Sequence, residues 1–316
     1  MFGNRFLGQV VDRSAETAVD RRKLLTMAGI ASAGVGATVL GAAAPATAAP
    51  SHGSSGGIND GSILNFALNL EYLEAEFYLR AATGFGLPDD MTTGRCDRGG
   101  VKGGSKVPFK TKALRNIANE IAKDEKQHVA FLRSALGGAK VSRPAIDLKT
   151  SFTAAARAAG VVGPTASFDP FASEEAFLLG AFLFEDVGVT AYKGAAPLIS
   201  NKTYLEAAAG ILAVEAYHGG IIRGALYAAG YADPSVYGTV KKLSDARDLL
   251  DGPGDDDQGI GNRDYANLVP TDGNSIAFSR SPGRVLDIVY LNLSGKPVSK
   301  GGFYPRGVNG TIHVAS

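Results

Sequence analysis

The chain has 316 residues, 45% of them hydrophobic, and a formal net charge of +1, enough to bury a substantial core in one principal domain with an appendage. Near-neutrality removes the electrostatic case for nucleic acid as a partner. The single cysteine, Cys96, excludes an internal disulfide, so stability has to come from packing, from metal, or from both, and in its polar, glycine-flanked stretch Cys96 reads as an inert surface thiol.

Residues 1–48 read as a targeting segment. Asp20-Arg21-Arg22-Lys23-Leu24-Leu25 resembles the twin-arginine export signal, follows a long polar region, and leads into an uncharged Ala/Gly-rich run from Leu24 to Ala49. Ala46-Thr47-Ala48 supplies a small-x-small cleavage pattern. The run is long enough for an uncleaved anchor, but its glycines and alanines make it weakly hydrophobic, so cleavage, with no stable membrane partner afterwards, is the expectation. Losing five basic and three acidic residues moves the net charge from +1 to −1. The resemblance implies export of an already folded protein to the periplasm, cell wall or exterior.

Residues 49–61 form a Ser/Gly-rich linker. Residues 62–230 carry four helical patterns in two pairs: Ser62 to Thr83, with Gly84 as the stop; Thr111 to Leu136, ending at Gly137-Gly138, read as a double left-handed stop; Ser173 to Ala195, closed before Pro197; and Asn201 to Ala229, stopping at Gly230. More than thirty residues separate the second helix from the third, too many for a tight turn, which suits a crossover along a bundle with a short helix near Ser151 to Ala159. Residues 231–316 form an extension packed on the bundle. It holds a helix from about Pro234 to Leu250, then a Gly/Asp cluster, then the β-branched runs Val285 to Leu291 and Thr311 to Val314, read as short strands.

Two of the four histidines sit in the same local pattern, Glu125-Lys126-Gln127-His128 and Glu215-Ala216-Tyr217-His218. Residues three apart on a helix share a face, so each pair reaches a common ion. Both pairs fall in apolar stripes: Leu114, Ile117 or Ala118, Ile121 and Leu132 in the second helix, and Leu205, Ala208, Leu212 and Ile222 in the fourth. Glu185 falls on the stripe of Leu178, Ala181, Gly188 and Tyr192, with Asp186 facing elsewhere, and in the first helix Glu71 and Glu74 both qualify, Glu76 less so. Unpaired carboxylates in an apolar interior are too costly for a purely structural feature. Two divalent cations, four glutamates and two neutral imidazoles close electrically neutral.

A Glu followed by Glu-x-x-His, both then repeated, resembles the ligand order of ferritin-like di-iron and di-manganese carboxylate bundles with one long crossover. The stretch Asn65-Phe66-Ala67-Leu68-Asn69-Leu70-Glu71-Tyr72-Leu73-Glu74-Ala75-Glu76-Phe77-Tyr78 and the tail pieces Phe278-Ser279-Arg280-Ser281-Pro282 and Gly301-Gly302-Phe303-Tyr304-Pro305 resemble a secreted bacterial ferritin-like family that is similar to plant desiccation-related proteins. The resemblance implies a mainly α, four-helix ferritin-like fold holding two divalent metals, iron or manganese, on Glu71, Glu125, His128, Glu185, Glu215 and His218. The Glu71-to-Tyr78 interval matches that of bacterial ferritin-like sites; it selects Glu71 over Glu74 and makes Tyr78 the catalytic-side candidate, a plain core aromatic being the other reading. Ligands without thiolate suit iron or manganese.

The expected function is an exported protein handling dioxygen, peroxide or ferrous iron as an oxidase, peroxidase or ferroxidase in stress protection. A non-enzymatic desiccation protein and a manganese catalase-like enzyme are the alternatives; homo-oligomerisation stays open, and an iron-storing cage is disfavoured by the added bulk. Gly99 to Lys106 lacks the order of a phosphate loop. The basic loop around Lys102 and the cluster Asp255-Asp256-Asp257 read as solvated, and His52 and His313 have no ligand partners nearby.

Overall fold

The computed structural model describes residues 58–252 and 254–316; the expected signal segment, most of the linker and His52 lie outside the described residues. The bundle consists of α1 (Asp60–Thr83), α2 (Lys112–Leu136), α4 (Glu174–Ala195) and α5 (Lys202–Ala232), with the short α3 (Thr150–Ala158) in the crossover. In α1, Asn59 accepts from the Ser62 N–H and Gly84 adopts φ 90° at the other end. Ser173 and Asn201 cap α4 and α5 through their side chains, so three of the four helices start on the polar residues that satisfy their free N–H groups. At the end of α2 only Gly137 has a positive φ, and its ψ of -124° lies outside the left-handed helical well, so the expected double left-handed stop is replaced by a single positive-φ glycine. Helix α5 runs past Gly230 to Ala232, because the break comes at Pro234.

Helix α1 packs most extensively on α2, and α4 on α5. Asn65, Tyr72 and Glu71 meet partners at Ala139, Arg133 and His128, so α1 and α2 run in opposite directions. Helices α1 and α4 are buried on nearly every side, because the C-terminal extension sheathes the faces the bundle leaves free. There, Tyr304 donates to the Asn69 carbonyl (2.7 Å), and Asn69 exchanges side-chain hydrogen bonds with the backbone of Asn309 (2.8 and 2.9 Å). These bonds satisfy polar groups that would otherwise be stranded in the core.

The extension contributes α6 (Ser235–Asp251) and α7 (Pro282–Val289). The expected strand at Val285 to Leu291 is therefore mostly helix. Ser281 caps it and Pro282 occupies its first turn, and its inward residues Val285, Leu286, Ile288 and Val289 fit a helical face as well as an alternating one. No strand forms at Thr311 to Val314. Among the described residues the strands are β1 (Val101–Lys102) and β2 (Ile146–Asp147), a parallel pair joining the first connection to the crossover.

The Gly/Asp cluster is solvated at Asp255 and partly at Asp256, but not at Asp257. Asp257 is buried and closes a chain of alternating charges: Arg223 and Arg247 share Asp186 (2.8 and 2.9 Å), Arg247 and Arg280 share Asp257 (2.9 and 2.6 Å), and Arg280 and Arg284 share Asp251 (2.5 and 3.0 Å). This network fastens α6, the following loop and α7 to α4 and α5. Its first acid is the chain neighbour of Glu185.

Candidate metal centre

Each bundle helix carries acid to one buried pocket. Glu71, Glu125 and Glu215 have no exposed surface, Glu185 is 1% exposed, and His218 and His128 are 4% and 9% exposed. Oxygens of Glu71, Glu125 and Glu215 lie within 4.8 Å of one another and of a His128 nitrogen, and Glu185, Glu215 and His218 form a second such group. The His128 Nδ1 is 3.3 Å from Glu71 Oε2, 3.5 Å from Glu125 Oε2 and 3.4 Å from Glu215 Oε1. The His218 Nδ1 is 3.0 Å from Glu125 Oε1 and 3.9 Å from Glu185 Oε2. The two imidazole centroids are 6.4 Å apart.

Eight inward donor atoms find no hydrogen-bond partner: Glu71 Oε2, both oxygens of Glu125 and of Glu215, Glu185 Oε2 and the Nδ1 atoms of both histidines. They fall into one group of four residues, Glu71, Glu125, His128 and Glu215, and one of three, Glu185, Glu215 and His218, which Glu125 approaches through the His218 Nδ1. Buried polar atoms left without partners are costly. Cations that favour oxygen and nitrogen ligands would satisfy these atoms. The donor set therefore fits bound metal.

The outer oxygens are held by the protein. Tyr78 donates to Glu185 Oε1, and Tyr192 donates to Glu71 Oε1 (2.5 Å). Each tyrosine lies seven residues after the glutamate of its own helix and bonds the glutamate of the other, so α1 and α4 form a crossed, two-fold-like pair. Burial and the adjacent carboxylates push both phenols well above their usual range, keeping them as donors. Tyr192 was not singled out from the sequence, although the repeated Glu-x6-Tyr spacing was there to read. Asp124 Oδ2 faces the His218 Nε2 at 3.6 Å and favours the orientation that aims Nδ1 inward. Glu76 lies elsewhere, bonded to Arg80 and Arg143, and Asp186 faces the arginine network.

Glu74 is a fifth buried acid, 5% exposed. A Cβ on Gly188 would meet Glu215 Oε2 at 3.1 Å and Glu74 Oε1 at 3.3 Å, so Glu74 sits beside a ligand candidate without joining either donor set. The neutral charge balance drawn from four glutamates is thus short by one acid. Burial raises the Glu74 carboxyl well above its usual value, helped by Glu215, Glu125 and Glu71. Burial also raises Glu71 to about 8, with His128 opposing, and raises Glu185 and Glu215. Glu125 goes the other way. Burial works against its charge, but the two imidazoles hold it down to about 2. His218 is pushed up to about 11, burial being outweighed by Asp124 and Glu125, and His128 also rises. Without cations, the cluster keeps protons that metal would displace.

Residues 59–228 match the family model of the ferritin-like domain, more than half of the chain. The chain belongs to the ferritin-like family. Two relatives align with this ferritin-like protein over most of both lengths. A desiccation-related protein, PCC13-62 of Craterostigma plantagineum, is 33% identical over 245 residues, covering 72% of this chain and 76% of the relative. A ferritin-like catalase, Nec2 of Nesocodon mauritianus, is 30% identical over 268 residues, covering 80% and 84%. No solved structure gives a significant match.

Proposed function

We propose that this ferritin-like protein is exported by the twin-arginine route and uses two divalent metal ions, iron or manganese, to remove peroxide as part of stress protection. The observation that carries the reading is the buried cluster of four glutamates and two histidines, eight of whose inward atoms have no hydrogen-bond partner. The catalase name of one relative supports peroxide over other oxidants. A bound redox-active metal pair supplies a two-electron couple, which oxidises one peroxide to dioxygen and reduces another to two waters.

The side chains have separate tasks in this scheme. Glu125 and Glu215, each with both oxygens free of hydrogen-bond partners, would hold the metal. Glu71 and Glu185 keep one oxygen free because Tyr192 and Tyr78 occupy the other, so neither carboxylate rotates away. Tyr78 acts by orienting Glu185. The apolar second layer, including Phe77, Phe177 and Phe184, excludes bulk water and strengthens every charge interaction in the pocket.

The test is oxygen release from peroxide by protein reconstituted with manganese or with iron. Turnover abolished in Glu125→Ala and His218→Ala, with helical content kept, is the expected result. The relative named for desiccation favours a second reading, in which the metals only brace the fold. In that case those variants lower the melting temperature and the native protein releases no oxygen. Export is tested by replacing Arg21 and Arg22 with lysine, which should retain the precursor inside the cell.

A further inference from the structure

The arginine–aspartate network that fastens the extension leaves one acid over. Arg223, Arg247, Arg280 and Arg284 pair with Asp186, Asp251, Asp256 and Asp257, which balances their charges, and no ion pair to Asp248 forms among the described residues. Asp248 lies three residues before Asp251, so both acids share one face at the end of α6. Asp257 comes back to that face, its N–H donating to Asp248 Oδ1 at 3.1 Å, and oxygens of Asp248, Asp251 and Asp257 lie within 4.8 Å of one another. Like charges at that spacing repel, and the C-terminal end of a helix, which carries the negative end of its dipole, adds to the repulsion.

A second observation is independent of the acidic composition. Asp251 is 4% exposed and Asp257 2%. Arg280 and Arg284 occupy Asp251 Oδ2, yet its Oδ1, equally enclosed, finds no hydrogen-bond partner among the described residues. Asp257 Oδ1 lacks one too, although Arg247 Nε approaches to 2.9 Å. A buried carboxylate oxygen with nothing to accept is costly, and Oδ1 is the atom that Asp251 has left to offer a ligand. Asp248 is half-buried, so the group has one edge through which an ion and its waters can enter.

We propose that Asp248, Asp251 and Asp257 form a divalent-cation site, separate from the bundle cluster, that takes calcium and locks the end of α6 to the returning chain. The donors are carboxylate oxygens without imidazole or thiolate, which suits a hard cation. Calcium accepts about six to eight oxygens in irregular geometry and completes its shell with water at the open edge, whereas magnesium demands a strict octahedron to which carboxylates already fixed by arginines cannot adjust. The site does not depend on metal in the bundle.

The test titrates calcium chloride into the native mature protein, Asp248→Asn and Glu125→Ala, by calorimetry and by melting temperature. The asparagine keeps an oxygen for the Asp257 N–H and relieves the repulsion, so without calcium Asp248→Asn should melt no lower than the native protein. The native protein should bind one calcium per chain with a Kd of about 0.1–1 mM and gain about 3 °C in Tm at calcium tenfold above that Kd. Asp248→Asn should bind at least about tenfold more weakly and lose the gain, while Glu125→Ala, altered only in the bundle cluster, keeps both. No calcium uptake by the native protein, or equal uptake by Asp248→Asn, would overturn the site; uptake lost in Glu125→Ala but kept in Asp248→Asn would move the ion to the bundle and overturn it as well. Should Asp248→Asn misfold, a terbium soak of native crystals decides: an anomalous peak between the three carboxylates is expected, and the absence of a peak there would overturn the proposal.

Discussion

Chelating the metals should make the protein progressively less stable as pH rises from about 5 to 8, and the gap between loaded and metal-free protein should widen over that range. The reasoning starts at Glu71, whose carboxyl burial raises to about 8 from an ordinary 4.5 when no cation is present. The folded chain then binds a proton that the unfolded chain releases above 4.5, so folding stability falls as pH rises through this window. Each pH unit in this window removes about 1.4 kcal/mol, so the loss by pH 8 is several kcal/mol. His218, raised to about 11, acts in the same direction, since its stabilisation is complete only below its unfolded value of 6.5. Glu125, held at about 2, gives stability that is lost only as pH falls below 4.5, outside the window. In the loaded protein the carboxylates face cations and need no proton. Melting curves with chelator and with added manganese at pH 5, 6, 7 and 8 measure the gap, which should grow by on the order of 10 °C for a domain of this size. A gap that stays constant, or narrows towards pH 8, would refute the protonated cluster.

Two further perturbations follow from the surroundings of the site. Replacing Arg247 with methionine leaves Asp186 and Asp257 each one cation short in a buried network; urea unfolding should show a loss of about 3–5 kcal/mol, and a loss under about 1 kcal/mol would mean the network is dispensable. Tyr192→Phe removes the donor to Glu71 and should weaken manganese binding about tenfold or more in calorimetric titration, while an unchanged affinity would show that Glu71 needs no such support.

The parts of the site that were legible in the sequence are those set by short-range spacing. Glu125 with His128 and Glu215 with His218 stand out because a three-residue interval on an apolar stripe leaves a charged pair no direction but inward. Glu185 follows from its stripe. Glu71 and Glu74 are themselves three apart on a helix buried nearly all round, so periodicity could not separate a donor from its neighbour; the packing across the bundle does, setting Glu71 against His128 and Tyr192 and Glu74 against Gly188. Tyr192 was hidden by its ordinary look as a core aromatic, and it gains meaning from Glu71 across the bundle. The extension was harder to read. Val285 to Val289 suits a helical face and an alternating one equally, and Pro282 after a capping serine decides between them. Asp257 looks solvated in a run of aspartates and glycines because Arg247 and Arg280, which bury and pair it, come from other segments.

The central claim is that the eight inward donor atoms hold two cations. Elemental analysis of the mature protein after reconstitution, set beside Glu125→Ala and Glu215→Ala, tests it most directly. Two iron or manganese ions per native chain, falling to one or none when either glutamate is removed, is the predicted result; a native chain that retains less than about one ion under the same conditions would contradict it.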